Sequence, residues 1–150
     1  MGSLSKQILA EIENVETALI NLEKAVERDE RSVVELAAIG TFIHNIYNGI
    51  ESILKQTLIA KNIKMPKSNT WHRDLLNIAV SFEIISKDLS DKLYEYLTFR
   101  HFFIHAYGFM LDEAPLEELA ENIPEIWSQF ISEIEQHFSD ANEKASMPLL

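Results

Sequence analysis

The chain has 150 residues, 47% of them hydrophobic, and a formal net charge of -11, enough for one core and too acidic for a general nucleic-acid binder, whose affinity comes from neutralising phosphates. Cysteine is absent, which excludes disulfides and thiolate metal sites and fits a reducing compartment. Four glycines and four prolines leave little room for the turns of an all-β protein and favour long helices.

In chain order, Ile8, Ile12, Val15, Leu19, Leu22 and Val26 recur at alternating steps of four and three, the seam of an amphipathic helix running from about Leu4 to Arg28. Asp29 to Arg31 read as a charged turn. Ser32 with Glu35 three residues on matches a capping box that opens a second helix. That helix is apolar over more than one stripe, so it is expected at the centre. Asn62, Pro66, Ser68 and Asn69 mark a turn over 61–70. A short third helix should begin near Thr70. In it Trp71 has two readings, a base-stacking platform beside His72 and Arg73 or, preferred, a core anchor.

Ser86 to Ser90 break the pattern, and Ser90 is read as the cap of a fourth helix carrying Leu93, Leu97, Arg100, Ile104, Tyr107 and Leu111 at helical steps. Gly108 is placed to end it. Pro115 fits a first helical turn. Beyond it the sequence allows either one kinked helix or a short one followed by another from Ile123 to Phe138. The expected architecture is all-α, an antiparallel bundle of four to five helices forming a single domain over 1–150, with a helical core over about 4–138 and a frayed tail over 139–150. No segment has the length of apolar residues that a membrane span requires, and the N-terminal residues lack the apolar core of a secretory signal. The expected location is the cytoplasm.

Chemistry concentrates in Arg100-His101-Phe102-Phe103-Ile104-His105-Ala106-Tyr107, an Arg-x4-His-x-Tyr spacing. An arginine binds phosphate through an always-charged planar fork, and a histidine exchanges protons near neutral pH. Together they suffice to cut a phosphodiester without a metal. The ordinary alternative is an amphipathic helix surface. Charge distribution favours an anionic ligand here: residues 55–105 carry 8 basic and 5 acidic side chains, whereas residues 106–150 carry 1 and 10. Scatter over solvated faces would give the same count. No histidine follows a Glu at the di-iron spacing, His101 and His105 lack an evident third ligand, and there is no phosphate loop. Neither a metal nor a cofactor is called for.

Around an ideal helix, position 107 lies within about 20° of position 100, whereas position 105 lies about 140° away. Either the helix departs from ideality near Gly108, or Arg100 and His105 meet in a cleft completed by a second copy across a twofold axis. Phe99, Phe102, Phe103 and Phe109 would then serve the core or that interface.

With Tyr47-Asn48-Gly49-Ile50-Glu51 in the second helix and Trp71-His72-Arg73-Asp74-Leu75-Leu76 at the third, the motif resembles a HEPN domain, most similar to the HepT-like toxins of prokaryotic toxin-antitoxin pairs. The resemblance runs from about Leu4 to Phe138. It implies a metal-independent endoribonuclease that dimerises through the motif helix, cuts tRNA or mRNA by 2′-hydroxyl attack, and is neutralised by a minimal nucleotidyltransferase antitoxin, in some members by AMP attached to the motif tyrosine. Carried over, Arg100 would hold the scissile phosphate, His105 would act as general acid or base, and Tyr107 would be the AMPylation position. The family often has Asn after the arginine. Here it is His101, a candidate substrate contact. The competing reading is a noncatalytic helical adaptor or nucleotide-binding module.

Overall fold

The computed structural model describes the backbone of residues 5–105 and 112–146 and the side chains of residues 5–104 and 112–138. Five helices follow one another, α1 (Lys6–Val26), α2 (Val33–Ala60), α3 (Trp71–Ser81), α4 (Lys87–His105) and α5 (Glu113–Ser146), with no strand among the described residues. The all-α bundle is therefore as expected, at the upper helix number.

Local signals account for most helix starts. Ser5 caps α1 by accepting from the Ile8 N–H at 3.1 Å. At α2 both halves of the capping box form, with the Glu35 carboxylate accepting from the Ser32 backbone N–H at 3.0 Å. Between these helices Arg31 closes the charged turn. Its guanidinium donates to the Val26 carbonyl at the end of α1 and reaches Glu117 of α5 at 3.3 Å.

One boundary differs from the sequence reading. The cap of α4 is Ser86, not Ser90: the Ser86 hydroxyl accepts from the Leu89 N–H at 3.1 Å. Glu133 of α5 holds this cap in place, taking the Ser86 backbone N–H at 2.6 Å and its hydroxyl at 2.9 Å. Ser90 lies buried within the first turns of the helix. Of the two readings left open beyond Pro115, the single helix holds, with Pro124 inside α5. Its missing N–H removes one helical hydrogen bond, and the apolar packing of Ile123, Ile126, Trp127 and Phe130 outweighs that loss. The backbone of α5 stays helical to Ser146, past Phe138.

Helix α2 is central as expected, packing against each of the other four. Ile39, Ile43, Ile46, Ile50, Ile53, Leu54 and Leu58 have no exposed surface, which explains why its apolar residues do not form a single stripe. Close approach to α1 depends on Gly49, where a Cβ would stand 2.2 Å from Val15 Cγ2. Near the start of α2, Gly40 makes room for α4, since a Cβ there would stand 2.7 Å from the Phe103 ring. Phe103 stacks on Phe99 with ring centroids 5.5 Å apart, so these two phenylalanines serve the core. Phe102 is 45% exposed. Phe109 lies outside the described residues. No helix among the described residues is long and apolar enough to cross a membrane.

Candidate functional site

One edge of α2 is polar although the helix carries much of the buried core. His44, Asn48, Glu51 and Lys55 recur at steps of four, three and four, which puts them in one row. Each meets a residue of α3 or α4. The His44 ring lies 5.6 Å from that of Phe103, Asn48 Oδ1 accepts from Arg100 Nε at 2.8 Å, Glu51 Oε2 accepts from His72 Nδ1 at 2.7 Å, and Lys55 Nζ stands 4.1 Å from the centre of the Trp71 ring.

This row fixes the motif arginine. Asn48 engages the Nε edge of the guanidinium, and no carboxylate pairs with Arg100 among the described residues, so its charge is oriented without being neutralised. The other end of the Asn48 amide points at His44, with Nδ2 3.4 Å from Nδ1 of that ring. For Nδ2 to donate there the imidazole must be neutral. Burial, followed by the nearby Arg100 charge, holds the His44 pKa below its ordinary value, while a hydrogen bond with Asn45 opposes them. The Tyr47 hydroxyl is buried beside this row with no hydrogen-bond partner among the described residues. Burial and then the Glu51 charge push its pKa up, with Arg100 opposing. It is a neutral phenol at any physiological pH.

Arg100 opens onto a groove of about 350 Å³ between α3 and α4, lined also by His72, Arg73, Tyr94, Thr98 and His101. Among the described residues no acidic side chain lines it. The basic surplus of residues 55–105 is thus partly focused here, while Lys87 and Lys92 are spent on exposed pairs with Asp91 and Asp88. The two readings of the Trp71 string divide between neighbours. Trp71 packs half-buried against the core, and His72 and Arg73 face the groove. His101, exposed on α4, shares the groove with Arg100.

The backbone of α4 is regular through His105, so positions 100 and 105 keep their separation of about 140° around the helix. Tyr107 and Gly108 lie outside the described residues. Among those that are described, no cluster of three or more His, Asp or Glu side chains has the arrangement of a metal site. The sequence reading offers His72 with Arg73 as an RNA-facing pair beside Trp71 and assigns no role to Asn48 or Glu51. The polar row on a buried helix, visible in the steps from His44 to Lys55, was the signal available.

An all-α bundle with a central buried helix and a basic groove flanked by its fourth helix defines the class. Residues 38–141 match the family model described as HepT-like protein, and the chain belongs to that family. No curated protein matches it. Among solved structures it is similar to one described as the crystal structure of a toxin-antitoxin with AMP-PNP, with a TM-score of 0.78 and 15% identity over 88% of this chain and 99% of that one. It is also similar to YutE from Bacillus subtilis, described as a cytosolic protein of unknown function, with a TM-score of 0.65 and 15% identity over 95% and 93%. At these identities the likeness is one of fold.

Proposed function

We propose that this chain is the RNA-cutting toxin of a toxin-antitoxin pair, acting without a metal. The observation that carries the reading is Arg100, held at Nε by Asn48 on a groove where, among the described residues, no carboxylate pairs with it and only neutral and basic side chains line the walls. Such a fork accepts a phosphate and stabilises the charge that grows on it during cleavage. His105 acts as general acid or base. The reaction is attack of the ribose 2′-hydroxyl on the adjacent phosphate, which leaves a cyclic phosphate and spares DNA. His101 is placed to add a substrate contact.

The active unit is a homodimer formed through α4. Position 105 follows 101 and 102 by four and three residues, so it shares their side of the helix. Phe102, on that side, is 45% exposed, an apolar contact next to the motif. A second copy seated there would bring two motifs face to face. The partner is a minimal nucleotidyltransferase antitoxin that silences the site by attaching AMP to Tyr107. A phosphate beside Arg100 would occupy its fork and repel RNA. The adenine nucleotide analogue named with the similar toxin-antitoxin structure agrees with such a partner.

The test is cleavage of total RNA in excess chelator. Wild type is expected to cut, with Arg100→Ala and His105→Ala each slower by roughly 100-fold or more. Undiminished cutting by both variants overturns the reading. A wild-type protein that binds its partner stably yet cuts no RNA points to the noncatalytic module instead.

A further inference from the structure

Transesterification by a 2′-hydroxyl needs two proton transfers, one away from the attacking oxygen and one onto the leaving oxygen. The motif supplies a single histidine of assigned role. The groove contains another that is better supported by its surroundings. His72 sits at the second position of α3 and lines the groove with Arg100. Its Nδ1 donates to Glu51 Oε2 at 2.7 Å, and the Glu51 side chain is only 6% exposed while that of His72 is 25% exposed. The Trp71 ring lies against the imidazole, with centroids 3.6 Å apart. A buried carboxylate on one ring nitrogen fixes the tautomer, leaves Nε2 as the proton acceptor and stabilises the imidazolium that forms.

We propose that the Glu51-His72 pair is the general base of this site, a reading that rests on the ribonuclease function above. His72 Nε2 takes the proton from the 2′-hydroxyl as the 2′-oxygen bonds to phosphorus. The bond from phosphorus to the 5′-oxygen breaks, and that oxygen leaves with its electron pair and receives a proton from His105. His72 then returns its proton to water. Charged and titratable groups around His72 are Tyr47, Glu51 and Lys55 on α2, Arg73 and Asp74 on α3, and Tyr94, Arg100 and His101 on α4. Glu51 bonds the His72 ring. Asp74 is engaged by the Ser68 and Thr70 hydroxyls and Lys55 by the Trp71 ring.

The pair also pins α3 to α2, so the test must separate chemistry from anchoring. Cleavage of an RNA oligonucleotide is followed against pH for wild type, His72→Ala and Glu51→Gln, each with a melting curve. A general base must be unprotonated, so the wild-type rate should rise with pH. His72→Ala is expected to lose that rising limb and about 100-fold in kcat, with KM changed by less than about 3-fold. Glu51→Gln keeps an acceptor and removes the charge, so it should move the limb to lower pH even if His72→Ala fails to fold. A substrate whose 5′-oxygen is replaced by sulfur, a better leaving atom, should restore His105→Ala and leave His72→Ala slow. A wild-type limb in both folded variants, or restoration of His72→Ala by the sulfur substrate, overturns the assignment while the ribonuclease reading stands. Absence of cleavage by wild type overturns both.

Discussion

Asn48 and Gly49 are neighbours on α2 and serve different sides of it. Gly49 faces α1, where it lets Val15 approach the backbone. Asn48 faces α4, where it holds Arg100. On the α1 side the stabilising quantity is apolar area, which is additive and non-directional. Ile8, Val15 and Leu22 are all almost fully buried there. The α3 and α4 side is a row of individual partnerships, each specific in atoms and direction. Apolar packing tolerates exchange of one hydrophobe for another of similar volume, whereas a partnership ends when one member is changed. One helix can therefore hold the fold with one face and orient chemistry with another.

The largest expected effect tests the α1 side. Gly49→Ala places a methyl against the stiff Val15 side chain, and urea unfolding should give a loss of about 1 to 3 kcal/mol, part of it offset by the helix preference of alanine. Cleavage per folded molecule should hold. Asn48→Ala should do the reverse. Its folding free energy should change less than that of Gly49→Ala, and RNA cleavage should fall about 10-fold as Arg100 loses a charge-assisted bond. If Asn48→Ala unfolds the protein while its folded fraction cuts normally, the division between the two faces is wrong.

Ser32→Ala acts on both faces equally, since it removes the capping box at the start of α2. A loss of about 1 kcal/mol with unchanged cleavage is expected from a melting curve and the same RNA assay. The smallest effect concerns His44, whose folded pKa lies below the ordinary value, about 6.5 in an unfolded chain. As pH falls below about 6.5 the unfolded chain takes up the proton first, so this contribution to stability is complete above that pH and declines below it. His44→Gln should flatten that part of the stability profile measured by urea titration.

The helices were largely legible because their signals are local. The four-and-three steps of α1, the Ser32 and Glu35 box and Pro115 in the first turn of α5 are read within a few residues of where they act. The end of α3 was less legible. Glu83 takes a positive φ of 58° in the place where Gly or Asn would announce a helix end. The turn is closed instead by the Ile84 N–H donating to the Ala79 carbonyl at 2.8 Å. The Ser86 cap was missed because Glu133, 47 residues on, selects it over Ser90.

By itself the sequence determined an all-α bundle, its central helix and a motif that combines a phosphate ligand with a proton carrier. Only the tertiary structure decided that Arg100 takes Asn48, 52 residues away, and that His72 takes Glu51, 21 residues away. Helix caps and hydrophobic periodicity act across one or two turns, so composition and spacing encode them directly. Which polar groups meet across a groove depends on how three helices pack around α2, and that follows from the burial of the whole apolar core.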